Sequence, residues 1–297
     1  MNRTRIIELL NVENGIPESE RIEYLSRLKL PYMKKGKSKS FYDQFNQGSG
    51  SELKGKFWSG ISSSRLAFEM YSWLANVKEI DDIEFELKLV GVTSRGVPNM
   101  DAFIEINGEP IFIENKFTEC YEQIINCAML PGAYWKEVGD PEALTTDGKP
   151  IGSTLLSRYH SDQVAMNEFL LFIKNMKSEL ENIDSNEKPK TWMEYGQEIK
   201  HLYGLYFYLK QHTEYHNKRV RFFNVYYYLE DPINSAIQDF FLNGEKMMNS
   251  LLKQFNITFI YKAITAQEVI ADMPSRIKAY GLDSDVKDIL KAKFLIK

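Results

Sequence analysis

Residues 100–117 read MDAFIEINGEPIFIENKF, two apolar runs hinged at Asn107-Gly108. Asp101, Glu114 and Lys116 sit inside those runs, where a half-buried strand normally carries apolar side chains. Asn-Gly between apolar runs predicts a two-residue type I′ turn. With that turn Ile106 opposes Glu109, and counting outward sets Asp101 against Glu114 and Asn99 against Lys116. Pro110 agrees with this register, because it falls in a pair that needs no amide donor. The Asp101–Glu114 pair is then of the closer, non-hydrogen-bonded kind, with Cβ atoms about 4.5–5.5 Å apart. Two like charges that close are destabilising unless a cation compensates them or a pKa shifts. Lys116 lies two residues from Glu114 and shares its face, while Asn115 points away.

Two carboxylates and an amine on one face suit divalent-metal chemistry. Mg²⁺ takes a few carboxylates, keeps several waters and accepts a substrate phosphate. The ion acidifies a bound water and steadies the charge of an in-line phosphoryl displacement, while a nearby amine orients or deprotonates that water. The residues alone leave a second reading open, an exposed hairpin whose Glu114 and Lys116 form an ordinary surface ion pair.

The surrounding pattern supplies elements to hold such a site. Amphipathic spacing predicts short helices over 3–10 and 19–30, and "NQGSGSELKGK" (46–56) reads as a mobile connection. A Ser cap precedes Leu66, Met70, Trp73, Leu74 and Val77 at helical spacing, so a helix is expected over about 63–78. "IEFELKLV" (83–90) alternates as a strand. Beyond the hairpin, helices are expected at 119–128 and 159–182, with a Pro/Gly/Asp-rich loop at 131–153 between them. A helix at 193–211, a strand at 219–229, a helix at 233–254 and a strand at 257–264 complete a mixed α/β order around one sheet. The expected organisation is an N-terminal helical and basic extension (1–60) and a main domain (61–297) carrying an insertion at about 118–190.

Composition narrows the classes. The chain has 297 residues, 43% apolar and 26% charged, the balance of a globular protein. No apolar run approaches the roughly 18–20 residues of a membrane span, and the first residues do not read as a secretory signal. Cys120 and Cys127 are too few for a disulfide framework, which points to a reducing, cytoplasmic setting. Net charge is −4, yet Lys34, Lys35, Lys37 and Lys39 gather in one stretch and Lys287, Lys291, Lys293 and Lys297 near the end. Such runs are either solvated surface or an arm for phosphates. His212 and His216 have zinc-helix spacing but lack the glutamate that metalloproteases place after the first histidine. No Gly-x-Gly-x-x-Gly or Walker-type loop is present. Tyr203, Tyr206, Tyr208, Tyr226, Tyr227 and Tyr228 read as core, with base stacking the alternative.

"PNMD" (98–101), a hairpin and then "IENKF" (113–117) resemble the PD-(D/E)XK nuclease superfamily. The resemblance covers roughly 62–117 and 193–229, and Met100 stands where the family usually has Pro. It implies a restriction-endonuclease-like αβββαβ core and a Mg²⁺-dependent endonuclease acting on DNA, of restriction or defence type, with Mn²⁺ an alternative ion. Asp101 and Glu114 would then ligate metal, with Glu69, on the helix before the first core strand, as a further acid. Lys116 would position the attacking water. A helix-borne glutamine is also implied, with Gln197 the first choice and Gln163 its competitor. The lysines at 34, 35, 37 and 39 and the insertion would grip DNA, and cutting both strands would favour a homodimer. The rival expectation is a catalytically inactive nucleic-acid-binding or assembly module on the same fold.

Overall fold

The computed structural model describes residues 16–47, 52–59, 62–91, 97–116, 123–124, 162–181, 190–191, 195–226, 235–266 and 268–269. In chain order these form α1 (Glu18–Lys29), β1 (Pro31–Lys34), β2 (Lys37–Ser40), α2 (Phe41–Gln47), α3 (Ser63–Tyr71), β3 (Ile80–Lys88), β4 (Asn99–Ile106) and β5 (Glu109–Lys116). Then come β6 (Gln123–Ile124), α4 (Gln163–Glu181), β7 (Lys190–Thr191), α5 (Tyr195–Gln211), β8 (Arg219–Tyr226), α6 (Ser235–Leu252) and β9 (Thr258–Thr265).

Turn chemistry fixes the centre. Asn107 and Gly108 both take positive φ, 53° and 70°, as a type I′ turn requires. The pairs run from Ile106 with Glu109 to Ala102 with Ile113, and Pro110 faces Glu105. β3, β4 and β5 form an antiparallel meander, and β8 and β9 add parallel strands beside β5. The five-stranded sheet, ordered β3-β4-β5-β8-β9, is therefore mixed and flanked by helices, an α/β architecture.

Alternation sends two apolar sets to opposite faces. Phe112 and Phe222 meet Tyr208 and His201 of α5, while Tyr261 packs on Phe241 of α6. On the other face Ile104, Ile111 and Ile113 lie beside Met70 and Tyr71 of α3. Ser62 caps α3 by accepting from the Arg65 N–H at 3.1 Å. The helix expected to reach residue 78 ends at Tyr71 and tightens into a 3-10 turn, Ser72–Asn76.

Residues 16–47 and 52–59, within the expected extension, share the core of the sheet. Phe41, Phe45 and Phe57 pack with Phe68 and Phe85. The segment also closes the edge of β3: the Tyr32 hydroxyl donates to the Ile83 carbonyl (2.9 Å) and the Phe85 N–H to Gln44 Oε1 (2.8 Å). An unpaired edge would otherwise invite another strand. Part of the connection expected to be mobile is tied down: Glu52 is buried, and the Leu53 carbonyl accepts from Trp58 Nε1 just beyond it.

One expected helix needs correction. Within 119–128, Gln123–Ile124 is a strand paired with Lys190–Thr191. A partner more than sixty residues away overrides local propensity there. The other residues of that stretch, with Glu119 and both cysteines, lie outside the described residues, as do the helix expected at 3–10, the loop at 131–153 and the C-terminal lysines. Among the described residues no helix is long and apolar enough to cross a membrane.

Gly204 lets α5 approach the sheet. A Cβ there would stand 2.8 Å from Pro98 Cγ and 2.9 Å from the Val90 carbonyl oxygen. Gly204→Ala should therefore lower unfolding free energy by about 1–3 kcal/mol, measured by urea denaturation, because backbone cannot yield as a side chain can.

Candidate active site

The site lies just past the last regular β4–β5 pair. Asp101 and Glu114 follow Ala102 and Ile113 in register, and Asp101 Oδ2 accepts the Asn115 N–H at 2.7 Å. Asp101, Glu114 and Lys116 are 9%, 4% and 3% exposed, so this is no surface ion pair. Asn115 points to the other face, where its Oδ1 accepts from Tyr71.

α5 closes the site from above. Lys116 Nζ donates to Glu114 Oε1 (2.8 Å) and to Gln197 Oε1 (2.6 Å), and Gln197 Nε2 donates to Glu114 Oε1 (2.8 Å). These contacts form a closed triangle of carboxylate, ammonium and amide. Gln197 is thus the glutamine at the site, while Gln163 begins α4. One turn after Gln197, His201 sets Nε2 3.9 Å from Glu114 Oε2. The i, i+4 spacing puts both side chains on one helical face.

A third carboxylate comes from β3. Glu86 lies between the Phe85–Ala102 and Leu87–Met100 pairs, hence across from Asp101. Its φ of 53° is left-handed, a conformation seldom adopted outside glycine. Ser64 donates to Glu86 Oε1 (2.8 Å) and Asn99 Nδ2 to Oε2 (3.2 Å). Glu69, the acid expected from α3, instead accepts the Tyr24 hydroxyl and links α3 to α1. Five residues separate it from Ser64, which places the two about 140° apart around the helix. Alternation along 83–90 marks Glu86 as polar, but only the pairing of β3 with β4 reveals its neighbour.

Crowded acids behave as electrostatics requires. Burial, then Glu114 and Glu86, push Asp101 well above the usual carboxylate range, against the Asn115 N–H and Lys116. Glu86 rises to about 6, mainly through burial, with Glu52 and Glu114 adding to it. Burial holds His201 down at about 4 despite Glu114, so its ring is neutral at pH 7.

The lysine run does not stand free as an arm. It forms the β1–β2 hairpin, and most of its amines serve the fold. Lys34 is buried and donates to the Val77 and Ile80 carbonyls (2.8 and 2.6 Å). Lys35 reaches Glu105 (2.8 Å), and Lys39 binds Asp82 and Glu84 beside it. Lys37 is exposed. Neither histidine of the zinc-like spacing is on a helix face: His212 stacks on Tyr208 and pairs with Glu214, and His216 stacks on Phe255.

Comparison with known proteins returned no matching family model, no matching curated protein and no matching solved structure. Among the described residues no group of three or more His, Cys, Asp or Glu side chains is placed so that it could hold a metal ion together.

The raised acids give metal-free protein a definite pH dependence. A carboxyl whose folded pKa exceeds its unfolded value stabilises below the unfolded pKa, and that stability is lost as pH rises through the folded one. For Glu86 the window runs from 4.5 to about 6. In EDTA, Glu86→Gln should exceed wild type in unfolding free energy by about 2 kcal/mol above pH 7. The difference should vanish toward pH 4.5 in chemical denaturation; a difference independent of pH would refute the assignment.

Proposed function

We propose that this chain is a metal-dependent phosphodiesterase that cuts DNA, built on the plan of the PD-(D/E)XK nucleases that residues 98–117 resemble. The observation that carries the reading is the buried Glu114–Lys116–Gln197 triangle beside Asp101. Removing one partner from a buried charge pair is strongly destabilising, and such pairs add little stability over apolar packing. Burial of this set at a strand end therefore argues for chemistry. The succession α3, β3, β4, β5, α5, β8 agrees with the core that the resemblance implies.

The donor set fits a hard dication. Asp101 and Glu114 bring two carboxylates beside the single ammonium of Lys116, with His201 neutral. Asp101 and Glu114 would hold Mg²⁺ or Mn²⁺, with Glu86 reached only through water, and retained waters would fill the shell as Mg²⁺ prefers. A bound dication would supply Lewis-acid stabilisation of phosphate charge and a more acidic water. Lys116 orients the attacking water and presents positive charge to the phosphate. Gln197 fixes the lysine's direction, and buried apolar neighbours keep bulk water from loosening the set. Without a cation, the carboxylates repel a phosphate backbone.

Purified protein should nick plasmid DNA with Mg²⁺ or Mn²⁺, and Lys116→Ala should slow cleavage by about 100-fold or more. Calorimetric titration should show Mg²⁺ heats for wild type that Asp101→Asn abolishes. Wild type that leaves both DNA and RNA intact with either ion would end the enzymatic reading.

A further inference from the structure

Behind the triangle lies a buried carboxylate that this chemistry does not use. Glu198, next to Gln197 on α5, is fully buried, as is Asn224 of β8. Glu198 Oε2 accepts from Asn224 Nδ2 (2.9 Å) and from the Tyr261 hydroxyl of β9 (2.8 Å). Glu198 Oε1 and Asn224 Oδ1 have no hydrogen-bond partner among the described residues. Two adjacent buried acceptors without a donor are rare and call for a reason.

Their place suggests what they await. Asn224 is the β8 partner of Glu114, so both side chains share the face that α5 covers. Lys116 stands near enough for its charge to oppose the rise of the Glu198 carboxyl, which burial still lifts to about 7. Glu114 Oε1 already receives both Lys116 and Gln197. A dication arriving on Glu114 would repel the ammonium hydrogen-bonded to it, since two positive charges at that range interact strongly in a buried site.

We propose that Glu198 is a positioning residue with two tasks, and this rests on the metal-dependent reading above. Through Oε2 it pins the first turn of α5 to β8 and β9, which sets Gln197 over the site. Through Oε1, with Asn224 Oδ1, it provides a second berth for the Lys116 ammonium when a cation takes Glu114. The lysine then stays charged and inside the site, turned from the metal-binding carboxylate toward Glu198 and Asn224.

Glu198→Gln separates the tasks. Its amide oxygen still accepts from Asn224 and Tyr261, but its nitrogen replaces the acceptor that the berth needs. The urea midpoint should stay at or above that of wild type, while Mg²⁺ affinity by calorimetry falls about 10-fold or more. In wild type, Mg²⁺ should shift the Lys116 Nζ resonance and transfer its nuclear Overhauser contacts from Glu114 to Glu198. That wild-type measurement stands even if the variant fails to fold. Unchanged Overhauser contacts on Mg²⁺ binding, or wild-type affinity in a folded Glu198→Gln, would overturn the inference and leave the metal site intact. Wild type that takes up no Mg²⁺ would remove the metal reading and this inference with it.

Discussion

Two buried carboxylates and one buried ammonium, with a half-buried third carboxylate beside them, impose the main constraint on this molecule. Desolvating like charges is unfavourable, and the chain meets that with specific donors rather than exposure. The Asn115 N–H serves Asp101, Ser64 and Asn99 serve Glu86, and Lys116 with Gln197 serves Glu114. Even so, the Asp101 and Glu86 carboxyls both titrate above their ordinary range, because these donors compensate only part of the burial.

The donors come from parts of the chain that must converge within tenths of an ångström. β4 and β5 are tied by a two-residue turn, so their relative placement depends on little else. α5 comes from far along the chain and reaches the hairpin only because Gly204 leaves room against Val90 and Pro98. Its grip on the sheet is partly polar, through Glu198, Asn224 and Tyr261. A polar anchor is directional where apolar packing is not, which suits a helix that must aim one amide.

β3 shows how an exposed edge was reconciled with a functional strand. Its outer side bonds Tyr32 and Gln44, while Lys39 neutralises Asp82 and Glu84 along it. Lysines that look in sequence like a basic patch thereby act as counter-charges to an acidic strand. At its far end, the left-handed Glu86 breaks the regular pleat and directs its carboxylate to Ser64 and Asn99. Irregular backbone beside a functional site is a common way of re-aiming one side chain.

The sequence by itself determined the local geometry: the Asn107-Gly108 turn, the register that sets Asp101 and Glu114 at neighbouring strand ends, and the Ser62 cap. These depend on a few adjacent residues, whose dihedral preferences and alternation act over short range. The sequence places Gln197 on a helix before a core strand, but its contact with Lys116 spans 81 residues and exists only through tertiary packing. The placement of Glu86 across from Asp101, the bond of Glu69 to Tyr24, the burial of Lys34 and the Glu198 anchor were decided only by tertiary structure. Which acids meet depends on strand order and helix rotation, and those are set by burial summed over the whole core rather than by any local run of residues.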